Sequence, residues 1–214
     1  MDFDAAAATW DDDEQRTLRT RAIAAEIRSR LGERTYRRGL DFGAGTGALS
    51  LLLADRFDEI VLVDTSPGML AAAAGKIAAA GPALAARLHP LALDLTADDP
   101  AGRPEAGSVD VVYSSMALHH VADIGALLRA FHELLAPGGQ LLVADLEADD
   151  DGSYHAHDDA FDGHHGFRRD DLEAALTAAG YRPAGFSAAF VVRRQVEGAE
   201  RQYPVFLATA QRVP

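Results

Sequence analysis

The sequence predicts an α/β protein built on a doubly wound, mainly parallel seven-stranded sheet, with an antiparallel C-terminal strand and an added N-terminal helix. Three observations carry that expectation. Short apolar, β-branched runs alternate with stretches of helical spacing through the first two thirds of the chain. Two of these runs pass through a turn straight into a helix, in "LDFGAGTGALSLLL" and "VLVDTSPGML". The closing runs "GFSAAFVVRRQV" and "RQYPVFLATAQR" are joined only by the turn "EGAE", which makes them antiparallel neighbours.

Taken in order, Glu14 to Leu31 carries Leu18, Ala22, Ile23, Ile27 and Leu31 at helical spacing and stops at Gly32. Residues 1–35 therefore form a helical cap ahead of the main domain, 36–214. "GLDFG" is a buried strand entering a glycine turn, and "ALSLLLADRF" is the helix leaving it. "EIVLVD" is a second strand, after which Thr65 or Ser66 caps a helix starting near Pro67. "ARLHPLALDL" is a third strand ending near Asp94, and "VDVVYSS" a fourth. The helix "DIGALLRAFHELLA" is closed by Pro137-Gly138-Gly139 before the fifth strand "QLLVADL". Residues 147–166 are polar, acidic and histidine-rich, and are expected to be a lid or acceptor loop, because connections of this length are usually functional. "RRDDLEAALTAAG" is the last helix.

The chain has 214 residues, 48% of them hydrophobic, enough for one core without a staple, and it has no cysteine to form one. Its net charge of -13 opposes binding to a nucleic-acid backbone, which needs clustered cations. The acidic start "MDFDAAAATWDDDE" is unlike a secretory signal, and no apolar run is long enough to span a membrane. The expectation is a cytoplasmic protein acting on a small molecule.

Ligands of such sheets bind beyond the carboxyl ends of the strands, where strand order reverses. Asp41, Gly43, Ala44, Gly45, Gly47, Asp64, Asp94 and Ser114 all fall at such ends. The glycines allow a tight turn and close approach of a ligand. Gly43-x-Gly45-x-x-Ala48, with Asp64 placed 21 residues after Gly43, fits a dinucleotide as well as S-adenosyl-L-methionine. Asp41 favours the second, since a carboxylate there opposes a pyrophosphate and suits an ammonium group.

The motifs "FDAAAATWDDD", "LDFGAGTG", "LVDTSPGML", "LDL", "VDVVYSSMALHHVAD" and "LAPGGQLLVADL" occur in an order that resembles the class I S-adenosylmethionine-dependent methyltransferases. Within that class the chain is similar to the group of the ubiquinone and menaquinone biosynthesis methyltransferases, over roughly residues 1–181. The resemblance implies a Rossmann-like fold and methyl transfer to a small-molecule acceptor. It also implies that Asp41 and the Gly43–Gly47 backbone hold the methionyl end, with Ala44 and Thr65 beside them. Asp64 would then take the ribose hydroxyls, Met69 the adenine face, Asp94 with the Leu95 amide the adenine edge, and the Ser114 carbonyl the amino group.

An acidic acceptor would need a base, for which His119 and His120 after the fourth strand, and His164 and His165 in the loop, are the candidates. His155, His157, His164 and His165 stand among Asp158, Asp159 and Asp162, but without a recognised zinc spacing; a solvated loop over the acceptor is expected, and no metal. Two alternatives stay open. A nicotinamide oxidoreductase of similar topology would want a Tyr-x-x-x-Lys pair, yet Lys76 is the sole lysine and no tyrosine stands four residues before it. A non-catalytic S-adenosylmethionine-binding protein would carry the same cofactor motifs.

Overall fold

The structure is a computed structural model that describes residues 2–97, 102–156, 158 and 161–213. A short helix α1 (Phe3–Ala6) and a 3-10 segment (Ala7–Asp12) lead into α2 (Glu14–Leu31), capped by the Asp13 carboxylate on the Arg16 amide. Then follow β1 (Tyr36–Phe42), α3 (Ala48–Leu53), β2 (Phe57–Asp64), α4 (Pro67–Ala79), α5 (Pro82–Ala85), β3 (Leu88–Ala92), β4 (Val109–Ser115) and α6 (Ile124–Leu134). The chain closes with β5 (Leu135–Leu146), α7 (Arg169–Ala178), β6 (Tyr181–Val196) and β7 (Ala199–Arg212).

The seven strands lie in the order β3-β2-β1-β4-β5-β7-β6, with β7 antiparallel to both of its neighbours. Consecutive parallel pairs run outward from β1 in one direction and from β4 in the other, so the order reverses between β1 and β4. β2 shows why its run "IVLV" is continuously apolar. Ile60 and Leu62 pack with Ile23, Ile27, Leu49 and Ile77 on one face, while Val61 and Val63 pack with Leu127, Leu128 and Phe131 on the other. A strand covered on both faces has no polar side to alternate with.

Several boundaries differ from the sequence expectation. The helix after the glycine turn stops at Leu53 and passes through a 3-10 turn, Ala54–Arg56, because Phe57 is already the buried first residue of β2. β3 ends at Ala92, two residues before Asp94. Pro137-Gly138-Gly139 lies inside β5, where the pairing with β4 jumps from Val109↔Leu135 to Val111↔Gln140, so the extra residues are absorbed as a bulge. The final hairpin turns on Glu197 and Gly198, both at positive φ, the geometry that two-residue hairpins prefer. In the 147–166 segment a 3-10 turn, Ser153–His155, is held by the Asp149 carboxylate, which accepts from the Tyr154 amide at 2.7 Å. Among the described residues no helix is long and apolar enough to cross a membrane.

Candidate functional site

The strand ends on both sides of the β1–β4 reversal open onto one cavity of about 760 Å³. Its remaining walls come from the N-terminal segment, α2, the residues Tyr154, His155, Asp158 and Phe161, and β6. Asp41, Gly43, Ala44, Gly45, Asp64, Thr65, Met69 and Asp94 line it, while Gly47, Leu95 and Ser114 stand behind the wall.

The three glycines of the turn, all at positive φ, meet different demands. A Cβ on Gly43 would come within 2.3 Å of the Ala117 Cβ, so this glycine lets β1 and the segment after β4 approach at the reversal. A Cβ on Gly47 would press on Leu62 and Ala73, which makes it a packing residue between α3 and α4. At Gly45 only the Met69 sulfur comes near, at 4.0 Å, so the backbone conformation alone demands glycine there. The Gly45 amide donates to Asp64 Oδ2 at 2.8 Å and the Ser66 amide to Asp64 Oδ1 at 2.9 Å. One carboxylate at the end of β2 thus fixes the β1 turn, and each of its oxygens keeps a second lone pair for a ligand hydroxyl.

Asp94 is exposed, and its Oδ1 accepts from the Thr96 amide and hydroxyl at 2.8 and 2.6 Å. Because β3 has already ended, this carboxylate caps a turn at the cavity wall rather than finishing a strand. The Leu95 side chain is core, packed with Val61 and Val63. Ser114 is buried and its hydroxyl donates to the Phe42 carbonyl at 2.8 Å, tying β4 to β1, and the wall at this point is made by Ser115, Met116 and Ala117. Asp41 is buried to 1% exposure and accepts from the Ser50 hydroxyl at 2.7 Å, with Tyr113 2.9 Å beyond. Burial pushes its carboxyl up to about 7, only partly offset by Ser50, and the negative Asp64 adds to the rise. A cation arriving beside it would reverse that rise.

The N-terminal segment is clasped onto this part of the wall. Asp11 accepts from the Thr46 hydroxyl at 3.0 Å and is ion-paired with Lys76, while Asp4 accepts from the Ser66 hydroxyl and from the Gly68 amide. Sequence reasoning missed these acids because their partners lie more than thirty residues away.

Across the reversal, His119 Nδ1 stands 2.6 Å from Asp145 Oδ1, and the His119 amide donates to Asp145 Oδ2 at 3.3 Å. Both residues are buried. Burial alone would raise the Asp145 carboxyl, but the His119 ring and the Leu146 and His119 amides outweigh it and hold it below its ordinary value. This contact orients the His119 ring, with Nδ1 toward Asp145 and Nε2 on the side away from it. His120 also lines the cavity; its ring keeps exposed area, yet surrounding groups remove it from bulk water and, with His119, push it down to about 4. His155, only 6% exposed, stacks on Phe161 at 3.6 Å, and among the described residues neither of its ring nitrogens finds a partner.

His164 and His165 do not reach the wall. The His164 amide donates to the His119 carbonyl at 2.7 Å, and the His165 ring leans on His155. His157 and Asp159 lie outside the described residues. Asp145 was readable only as part of the strand "LLVADL"; the available signal was a carboxylate closing an otherwise apolar run.

The chain matches the family model described as a methyltransferase domain over residues 14–184. It is 32% identical over 146 residues to a biotin biosynthesis bifunctional protein of Cellvibrio japonicus, covering 67% of this chain and 26% of that relative. To a trans-aconitate 2-methyltransferase of Methylobacterium radiotolerans it is 37% identical over 122 residues, covering 56% of this chain and 42% of the relative. The matched part thus spans less than half the length of these relatives. The fold superimposes on a Haemonchus contortus phosphoethanolamine N-methyltransferase solved with phosphomonomethylethanolamine and S-adenosylhomocysteine, with a TM-score of 0.68 and 17% identity, covering 89% of this chain and 52% of that one. With residues 14–184 matched by its model, the chain belongs to the methyltransferase domain family.

Proposed function

We propose that the protein transfers a methyl group from S-adenosyl-L-methionine to a small-molecule acceptor by in-line displacement, and that the acceptor atom is one that must lose a proton. The observation that carries this reading is a single cavity holding the Gly43–Gly45 turn, pinned by Asp64, on one side and the His119–Asp145 pair on the other. The residues present fit the cofactor. Asp64 has lone pairs for two ribose hydroxyls, Met69 offers an apolar surface, and buried Asp41 offers a negative partner to the methionyl ammonium. When bound, the cofactor supplies an electrophilic methyl group on a sulfonium centre.

The protein's own part is positioning, exclusion of water and proton transfer. Asp145 orients His119, and His119 Nε2 takes the acceptor's proton. The clasped N-terminal segment, with Phe3 and Trp10 on the wall, shields the reacting groups from solvent. Residues 1–35 then act as a cap over the 36–214 domain, and residues 147–166 as the acceptor-side lid. The net charge of -13 supports a small molecule over a nucleic acid, and the cysteine-free, acidic composition supports a cytoplasmic setting.

Incubation with methyl-labelled cofactor and a panel of phenolic, enolic and carboxylic acceptors tests turnover. Label in an organic product together with S-adenosylhomocysteine is the expected result. Cofactor binding without transfer to any acceptor would favour a sensing protein.

A further inference from the structure

We propose that Ser50 of α3 and Tyr113 of β4 are positioning residues for the cofactor: their hydroxyls form a buried chain that ends on the Asp41 carboxylate and keeps it ready for the methionyl ammonium. The inference rests on the reading of this cavity as an S-adenosylmethionine site and names residues behind its wall that act through Asp41.

Asp41 and Tyr113 are register partners on β1 and β4, the two strands between which the order reverses. Ser50 joins them from α3, the helix that leaves the glycine turn. The Ser50 hydroxyl donates to Asp41 Oδ2 at 2.7 Å and lies 2.9 Å from the Tyr113 hydroxyl. With Asp41 ionised, the single Ser50 hydroxyl hydrogen goes to the carboxylate, so Tyr113 is the donor in the second contact. All three side chains are buried, and of the three only Asp41 reaches the cavity wall.

Packing alone does not call for the Tyr113 hydroxyl. Its ring stacks on Phe57 with centroids 5.7 Å apart, in a core that also holds Leu53, Ile60, Leu62 and Leu142. A phenylalanine would fill that place without taking a hydroxyl out of water. What the hydroxyl adds is its bond to Ser50, and through it a second dipole aimed at the carboxylate. Burial, and then the negative Asp41, push the Tyr113 hydroxyl well above its ordinary value, so it keeps its proton and stays a donor.

The elements packed around Asp41 divide in their effect on it. Burial and Asp64, at the end of β2, raise its carboxyl, whereas the hydroxyl and amide of Ser50 hold it down. No charged residue occurs in α3 itself. The cavity wall also carries the Asp11–Lys76 pair and, from the start of α2, Asp13, Arg16, Arg19 and Arg21.

Calorimetric titration of the full chain between pH 6 and pH 8.5 tests the chain of hydroxyls. The ligands are S-adenosylhomocysteine and 5′-methylthioadenosine, which keeps the adenosyl thioether and lacks the ammonium. Ser50→Ala removes a donor to the ionised carboxylate and moves its titration above about 7. At pH 7 and below, S-adenosylhomocysteine should therefore bind this variant about tenfold more weakly than wild type. The gap should close toward pH 8.5, where Asp41 is ionised in both. Tyr113→Phe keeps the ring stack and should lose about threefold in the same direction. In the double variant the loss should equal that of Ser50→Ala, because Tyr113 acts through Ser50. Affinity for 5′-methylthioadenosine should be the same in wild type and variants at every pH. Thermal melts identify folded variants, and Tyr113→Phe decides the outcome should Ser50→Ala not fold. Equal losses for both ligands, a loss that does not change with pH, additive losses in the double variant, or unchanged S-adenosylhomocysteine affinity would overturn the proposal and leave the cofactor reading standing. Wild type that binds neither ligand would remove the cofactor reading and the proposal with it.

Discussion

At one end of the cavity, Asp41, Asp64 and Asp94 stand at or just beyond the ends of β1, β2 and β3, held by short local hydrogen bonds. At the other, His119, His155, Arg19 and Arg194 come from the turn after β4, the 153–155 turn, α2 and β6. The acidic end suits a ligand bearing sulfonium and ammonium charges. The imidazole end suits an acceptor that gives up a proton. The carboxylates gather at the ends of β1 to β3 and the imidazoles beyond β4, a division that follows strand order.

Removing the proton-transfer pair should have the largest effect. With an acceptor that must be deprotonated, Asp145→Asn or His119→Ala is expected to slow transfer roughly 10²- to 10⁴-fold while leaving S-adenosylhomocysteine affinity unchanged. The separation of rate from cofactor affinity is the readout. Equal loss of both would place this pair at the cofactor end and erase the division.

Asp41→Asn sharpens the contrast through pH. The folded carboxyl, raised from its ordinary 3.8 to about 7, keeps a proton that the unfolded chain has released. Its stabilising contribution is complete below about 3.8 and is lost as pH rises through 7. The variant should therefore melt higher than wild type at pH 8.5, with the advantage shrinking toward pH 5, yet bind S-adenosylhomocysteine about tenfold more weakly. Calorimetry of the wild type in buffers of different ionisation enthalpy should also show proton release on binding near pH 7. A variant less stable than wild type at pH 8.5 would contradict the burial argument.

The histidine end titrates in the opposite sense. His120 and His155, pushed from 6.5 down to about 4 and about 3, give stability that is complete above 6.5 and is lost as pH falls through those lowered values. His155→Phe keeps a ring to stack on Phe161 and removes two unsatisfied nitrogens, so it should stabilise the unliganded protein by about 1 kcal/mol. It should also flatten the fall in melting temperature between pH 7 and pH 5. This is the smallest of the three effects, and a destabilised variant would mean that His155 has a partner within the folded chain.

The same division separates what the sequence reveals from what it hides. The acidic end is local: the turn, Asp64 and Thr65 lie within twenty-five residues, and β-branched runs mark the strands that carry them. Even there, the Ser114 hydroxyl and the Leu95 side chain are taken up by packing between strands, because strand periodicity says which face a residue takes but not where a strand stops. The imidazole end depends on long-range encounters. Arg19 reads as an ordinary polar position of an amphipathic helix and Arg194 as one of an adjacent pair of arginines in an edge strand. Only the packing of α2 on β6 brings them to Tyr154. The histidines 164 and 165 drew attention by composition, while His155 holds the cavity wall because its turn is fixed by Asp149 and stacked on Phe161.

The central claim, that the acidic end holds S-adenosylmethionine, is tested most directly by titrating the wild-type chain and Asp64→Ala with S-adenosylhomocysteine and with NADH. The account predicts one S-adenosylhomocysteine per chain, no measurable NADH binding, and roughly a hundredfold weaker S-adenosylhomocysteine affinity in folded Asp64→Ala, from two lost hydrogen bonds to a charged acceptor. Binding of NADH in preference to S-adenosylhomocysteine, or unchanged affinity in Asp64→Ala, would contradict it.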